Sequence, residues 1–339
     1  MTQNDKEVFM AERIRAIELF AGAGGLALGL EKAGIETVAH VEIDKACCET
    51  LRKNRPNWNV INADIHGVDF TPYKGTVDIV TGGFPCQAFS HAGKRLGFED
   101  VRGTLFYEFA RCVKETNPRM FIAENVRGLT THDGGRTLAT ILDVFSELGF
   151  DMKYQVLNAA FYDVPQKRER IVIVGTRVGE GIEYIYPKPN DRMMTLREGL
   201  KDCPVSEGES YSEKKKAVLD LVPPGGCWVN LPVELQKSYL GGAYTSGGGK
   251  RGMARRISWD EPCMTLTCSP SQKQTERCHP DETRPFTVRE YARIQSFPDD
   301  WEFCGKMAET YKQIGNAVPV NLAKAIATQA VQALSTQSS

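Results

Sequence analysis

Cys86 stands in VDIVTGGFPCQAFS, directly after a β-branched run and on a turn built from Gly82, Gly83 and Pro85. Ligands of open α/β sheets bind outside the carboxyl ends of the strands, so this is an active-site address for a nucleophilic thiol. A cysteine by itself is more often a small buried apolar residue. Here Pro85 stiffens the turn, and Gln87 and Ser90 add polar groups that a core cysteine does not need. FIAENVRGL ends the fifth strand with Glu124 and Asn125, and QKRERIVIVG brings Arg168 and Arg170 to the start of another. A thiol, a carboxyl group and two guanidinium groups are therefore expected to converge.

A second site-forming stretch is ELFAGAGGLALGLEKAG, which follows the first strand and opens the first helix. Gly22, Gly24 and Ala27 have the spacing of a dinucleotide fingerprint, and acidic Glu42 lies twenty residues beyond Gly22. Such glycines let the backbone approach a ligand closely, and a carboxylate ending the second strand accepts hydrogen bonds from ribose hydroxyls. On this turn alone NAD fits as readily as any other nucleoside cofactor, and a plain tight turn also explains the glycines. Asp64 in NADI adds an acceptor suited to an adenine amino group.

These residues must be held by a regular frame. RAIELF, TVAHVEI, VDIVTGG, RMFIAEN, MKYQVLN and RIVIVGT are strand candidates, and helices are predicted to begin near Gly25, Lys45, Gly103 and Thr137. The alternation implies an α/β fold, a Rossmann-like and mostly parallel sheet with helices on both faces. After Pro187 the chain becomes rich in Gly, Pro and Ser, which predicts a smaller, loop-rich domain that presents loops to a partner. VNLAKAIATQAVQAL has helical spacing and is expected to return to the first domain. The predicted boundaries are 1–186 for the catalytic and cofactor-binding domain, 187–285 for the small domain and 286–339 for the returning segment.

With 41% hydrophobic and 25% charged residues, the 339-residue chain can bury a full core, which excludes a disordered or fibrous protein. No apolar run approaches the roughly 20 residues that cross a bilayer, and MTQNDKEVF lacks the basic and apolar regions of a signal peptide. The expectation is a soluble cytoplasmic protein with no membrane partner, and a monomer. The ten cysteines lack the paired spacings of a disulfide framework or zinc ribbon. A formal net charge of −1 means that any nucleic-acid binding must rest on a local basic surface. GGGKRGMARRISW, with Lys250, Arg251, Arg255 and Arg256, is the candidate, although a solvated loop explains it too.

FAGAGG, VEID, NADI, GGFPCQAFS with its continuation GFEDVRGTLF, ENV, QKRER, TVREYARIQSFPDDW and QIGNAVP follow one another from Phe20 to Val318. This ordered series resembles the cytosine-5 DNA methyltransferase family of bacterial restriction-modification type. The resemblance implies S-adenosylmethionine-dependent methylation of cytosine carbon 5 in double-stranded DNA at a short sequence, on a base rotated out of the stack. It implies that Cys86 adds to carbon 6, making an enamine that attacks the methylsulfonium. By the same resemblance Glu124 holds and protonates ring N3, Arg168 donates to the cytosine carbonyl oxygen and Arg170 supports the cysteine loop. Phe20, Gly22, Gly25, Glu42 and Ile43 are implied to contact the cofactor, with Glu42 on the ribose. Asp64, Ile65, Pro85, Leu105, Asn316 and Ala317 complete that implied set. Gln87, Ser90 and Arg102 are implied to contact DNA as the nucleophile loop closes. Two residues depart from the family pattern: Ala317 replaces a serine and Glu18 an aspartate, and neither removes a catalytic group.

Between about Tyr186 and Thr265 the family pattern weakens, as expected of the region that reads the DNA sequence. Arg255 and Arg256 are expected to contact phosphates or guanine edges there. The resemblance also places Thr265 in a threonine-leucine element of the recognition domain and Thr283 at a backbone contact near the flipped base. Cys263, Cys268, Cys278 and His279 lie close in sequence but fit zinc spacings poorly, so no metal is expected. The alternatives are an RNA cytosine-5 methyltransferase of the same fold, a catalytically silent DNA-binding module, and an NAD-dependent dehydrogenase. Intact Cys86, Glu124 and Arg168 oppose the silent module, and the dehydrogenase leaves the cysteine loop unexplained. A zinc nucleobase deaminase lacks its H-x-E element. Functional pairing with a restriction endonuclease is a further expectation.

Overall fold

A computed structural model describes residues 13–85, 104–246 and 252–336. Cys86, Gln87, Ser90, Arg102, Lys250 and Arg251 lie outside the described residues.

The strand candidates become one seven-stranded sheet. Its strands are β1 (Arg15–Leu19), β2 (Glu36–Glu42), β3 (Val60–Asn62), β4 (Ile79–Gly82), β5 (Met120–Val126), β6 (Phe150–Asn158) and, after the two-residue β7 (Gln166–Lys167), β8 (Glu169–Arg177). Across the sheet the order is β3-β2-β1-β4-β5-β8-β6. The first five run parallel, whereas β8 is antiparallel to both β5 and β6. β7 pairs separately with β9 (Cys263–Met264), tying the sheet's functional edge to the later part of the chain.

Four helices start close to the predicted positions because each has a local start signal. α1 (Gly25–Lys32) follows left-handed Gly24, and α4 (Arg136–Glu147) follows left-handed Gly135. Asp44 caps α2 (Lys45–Asn54) by accepting from the N–H groups of Ala46 and Cys47, and Thr104 caps α3 (Leu105–Thr116) through Tyr107 N–H. Three short helices, α5 (Leu196–Gly199), α6 (Glu213–Leu219) and α7 (Val233–Leu240), stand among the loops of the Gly- and Pro-rich region. α8 (Val288–Ile294), α9 (Met307–Asn316) and α10 (Val320–Ser335) finish the chain.

The two faces of the sheet carry two cores. On one, Ile17, Val80, Phe121 and Ile173 meet Phe109 of α3 and Phe145 of α4, with the Phe121 and Phe145 rings stacked at 3.9 Å. On the other, Ala16, Ile79, Ile122 and Val172 meet Leu26 and Leu30 of α1 and Leu322 and Ile326 of α10. The returning C-terminal helix is thus packed as its periodicity predicts. A third cluster joins Leu28 and Leu51 of the first half to Leu266, Tyr291, Trp301 and Ile314. A fourth, of Tyr211, Leu219, Val222, Leu231, Ala254 and Cys278, gives the Gly-rich region a small core of its own.

Glu18 explains its departure from the family pattern. Its fully buried carboxylate meets His40 Nδ1 at 2.7 Å, and the His40 ring stacks on Trp58 at 4.4 Å. Burial, opposed by the His40 contact, holds this carboxyl above its usual range. Removing one partner of such a buried pair strands the other. Glu18→Ala is therefore expected to cost about 3 kcal/mol of stability, read as a lower urea midpoint, with Glu18→Gln closer to wild type. Equal midpoints for all three proteins would remove the pair from the account of the fold.

Candidate active site

The carboxyl ends of the parallel strands surround a cleft of about 740 Å³. β1 delivers Phe20 to Gly22, β2 delivers Glu42 and Ile43, β4 delivers Gly83 to Pro85, and β5 delivers Glu124 to Val126. Because β8 runs the other way, its amino end reaches the same edge: Arg170 pairs with Val126 across the ladder. The opposite wall comes from Thr265 to Cys268 and from Lys312 to Val318.

The glycine turn is shaped for a ligand. Gly22 has φ +54°, and a Cβ added there would project into open space in the cleft wall. Glu42 accepts from Gly22 N–H and Asp44 N–H, each at 2.8 Å, which fixes the turn and leaves carboxylate lone pairs at the rim. Phe20 is held at φ +56°, a conformation that a bulky residue adopts only where its surroundings enforce it. Ile43 is 66% exposed, an aliphatic side chain left open in the wall. A glycine cradle, an acidic acceptor and two apolar side chains fit a nucleoside group. Gly25 lies against the 317–318 backbone, where a Cβ would come within 2.2 Å of the Val318 carbonyl. Pro85, Asn316 and Ala317 also line the cleft.

Asp64, Ile65 and Leu105 do not join the wall formed by the described residues. Asp64 caps a short 3-10 turn, accepting from His66 N–H at 3.0 Å and meeting His66 Nδ1 at 2.7 Å, contacts that hold its carboxyl below the usual range. Ile65 is buried in the first core, and Leu105 packs against it.

At the other end of the cleft Arg170 Nε meets Glu124 Oε1 at 2.7 Å, with both side chains largely buried. Gly83 makes room for this carboxylate, since a Cβ there would sit 2.9 Å from Glu124 Oε2. Asn125 donates to the Phe84 carbonyl at 2.8 Å, anchoring the chain two residues before Cys86. The two arginines of QKRER have different partners. Arg168 is 2% exposed and donates to the carbonyls of Leu266 and Gly315, at 3.2 and 3.0 Å, so it frames the site. Burial, with Arg170 close by, pulls its guanidinium down to about 9. Arg170 is the guanidinium that faces the carboxylate.

Other residues that motif reading did not single out complete the frame. Buried Gln166 donates to Gln295 Oε1 and accepts from Leu266 N–H, both at 2.8 Å, while Gln295 donates to the carbonyls of Ile314 and Ala317. These amides lock QKRER, RIQSF and QIGNAVP together. Their signal was present only as motif letters whose partners are distant in sequence. Lys312, which the motifs do not single out, and Cys268, weighed in the sequence only as a zinc ligand, also belong to the cleft. Cys268 Sγ donates to Asn316 Oδ1 at 2.9 Å, and Lys312 pairs with Asp44 at 3.1 Å across the cleft.

The Gly- and Pro-rich region revises the basic-cluster expectation. Arg256 is 4% exposed and donates to the carbonyls of Leu219, Val222, His279 and Pro280 and to Thr283 Oγ1. A guanidinium so enclosed holds the domain's own fold and has no free edge for DNA. Thr283 is likewise engaged, by Arg256 and by Asp220, away from the cleft. Arg255 is half-buried, its Nε without a partner among the described residues, and Thr265 lines the cleft while donating to the Lys167 carbonyl at 2.7 Å. Cys263 and Cys278 belong to separate cores, and among the described residues no group of three His, Cys, Asp or Glu is placed to hold a metal ion. Nor is any described helix long and apolar enough to cross a membrane.

A Type II methyltransferase of Escherichia coli, M.Eco47II, is 59% identical over 94% of this chain and 79% of its own length. M.Sau96I of Staphylococcus aureus, also a Type II methyltransferase, is 57% identical over 94% of this chain and 75% of its own. In fold, a prophage-encoded protein of Escherichia coli superposes with a TM-score of 0.70 at 23% identity, covering 95% of this chain and 99% of that one. Residues 14–332 match the C-5 cytosine-specific DNA methylase family, and the chain belongs to that family and is a DNA cytosine-5 methyltransferase.

Proposed function

We propose that the cleft takes S-adenosylmethionine along the glycine turn and an everted cytosine of duplex DNA at the Glu124–Arg170 end. One observation carries this reading: a glycine cradle and a carboxylate–guanidinium pair open into the same cleft. When bound, the cofactor supplies a methyl group on an electrophilic sulfonium. Gly22 brings backbone close to that group, Glu42 receives the ribose, and Phe20 and Ile43 flank its base.

Carbon 5 of cytosine is a poor nucleophile, and the chain's residues change that. The Cys86 thiolate adds to carbon 6, which makes carbon 5 an enamine carbon and moves negative charge toward N3 and the carbonyl oxygen. Glu124 holds N3 and, protonated transiently from solvent as the base enters, delivers that proton to it. Arg170 donates to the carbonyl oxygen while keeping the Glu124 side chain in place, and Arg168 holds the two wall segments that face them. Once carbon 5 carries the methyl group, its proton passes to water or another base, N3 gives back its proton and the Cys86 thiolate departs, which restores the aromatic ring. Residues 187–285 read the flanking sequence, and Gln87, Ser90 and Arg102 close over the DNA. Following the Type II relatives, the chain acts in the cytoplasm as the protective half of a restriction-modification pair.

The test is methyl transfer. The purified protein is expected to move labelled methyl from S-adenosylmethionine to duplex DNA, and bisulfite sequencing of plasmid from expressing cells is expected to show protected cytosines in one short context. Methylation at exocyclic N4 or adenine N6, or of RNA alone, overturns the reading.

A further inference from the structure

With Arg256 buried, the positive surface of the small domain must be sought elsewhere. α6 carries Lys214, Lys215 and Lys216 in succession. A hollow of about 480 Å³ beside it is lined by Lys214, Lys215, Lys273, Ser212, Ser238 and Tyr239. These ammonium groups are not equivalent. Lys215 meets Glu276 at 2.8 Å, and the fully buried Glu276 also accepts from Tyr239 and from Ala254 N–H. Lys215 is therefore neutralised and structural. Lys273 stands 4.7 Å from the centre of the Tyr239 ring, and neither it nor Lys214 has an ion-pair partner among the described residues. Glu213, the next residue to Lys214, is exposed but does not line the hollow.

The hollow and the active-site cleft are separate, but they approach each other along the chain. Gln272 lines the cleft and its neighbour Lys273 lines the hollow, so the walls are one residue apart, about 3.8 Å between Cα atoms. Two unpaired ammonium groups with the Ser212 hydroxyl suit an anion rich in acceptor oxygens, whereas the Ser238 hydroxyl donates to the Leu235 carbonyl at 3.2 Å. Beside the mouth of a cleft that receives an everted base, the anion within reach is the backbone of the same DNA. We propose that Lys214 and Lys273 clamp a backbone phosphate next to the target nucleotide, holding the duplex while the base is extruded. This rests on the proposed DNA-methylating function. Phosphate contacts fix register and carry no sequence information, so the clamp positions DNA without choosing its sequence.

The test compares wild type, Lys214→Ala/Lys273→Ala and Lys324→Ala, the last removing an exposed charge from α10. The Kd for a methylatable duplex is measured from about 50 to 200 mM salt, with S-adenosylmethionine affinity by calorimetry and bisulfite context alongside. Each phosphate neutralised adds about 0.9 to the slope of log K against log salt. The double variant is therefore expected to lose about one unit of slope and to bind DNA about tenfold more weakly at low salt. Cofactor affinity and sequence context should stay unchanged, and Lys324→Ala should match wild type. An unaltered slope in the double variant, the same loss in Lys324→Ala, or a changed sequence context overturns the clamp. Wild-type protein that leaves DNA unmethylated would instead overturn the functional reading on which the clamp rests.

Discussion

Cys86→Ala is expected to reduce methyl transfer to duplex DNA by on the order of 10⁴-fold or more while S-adenosylmethionine binds with near wild-type affinity. Without addition at carbon 6, carbon 5 never becomes an enamine, and neither Glu124 nor Arg170 supplies an alternative nucleophile. The glycine-turn end of the cleft, the proposed cofactor site, is built by β1 and β2, on glycine and carboxylate groups that the substitution does not touch. The diagnostic reagent is duplex DNA with 5-fluorocytosine at the target position, where the ring cannot lose its carbon 5 substituent as a proton. Wild type plus methyl donor should give a protein–DNA adduct that survives a denaturing gel, and Cys86→Ala should give none. Turnover by the alanine protein, or no adduct with wild type, would remove covalent catalysis from the mechanism.

The second large effect concerns the pair at 2.7 Å. Glu124→Gln keeps shape and hydrogen bonding but removes the proton donor, and kcat is expected to fall by about 10² to 10⁴. Arg170→Ala should lower kcat comparably and, by leaving a largely buried carboxylate without its partner, cost about 3 kcal/mol of stability. Since the two groups act as a unit, the double variant should be little worse than the poorer single one. Arg168→Ala separates framing from chemistry. It cuts the bonds to Leu266 and Gly315, so stability and activity should fall together. Paired kcat and urea-midpoint measurements on the four proteins check this. A multiplicative double variant would mean that Glu124 and Arg170 act independently, and an Arg168 variant with normal stability and strongly reduced kcat would return Arg168 to the reacting base.

Much of the frame was legible because its signals are local. The strands are β-branched runs and the helix starts are marked by Gly24, Asp44 and Gly135, so periodicity and capping suffice to find them. The 320–334 stretch kept its helical spacing and packs on α1 as expected. The small domain was less legible. Arg256 sits in a basic run, and charge alone gives no means of telling a solvated guanidinium from one wrapped by five backbone and side-chain acceptors. The lysines of α6 read equally well as an ordinary solvated face until Lys273, more than fifty residues away, is placed across the hollow from them.

By itself the sequence determined the residue types available for chemistry and the order of the strands that carry them: a glycine turn after β1, a carboxylate ending β2, and Glu124 ending β5. Which of those groups meet was decided by tertiary structure. β8 runs antiparallel, and that orientation alone brings the amino end of QKRER to the edge where the other strands finish. Only there does the two-residue offset between Arg168 and Arg170 separate a guanidinium spent on Leu266 and Gly315 from one that faces Glu124. Strand direction and long-range carbonyl partners are global properties, set by how whole layers bury their apolar faces, and no local spacing encodes them.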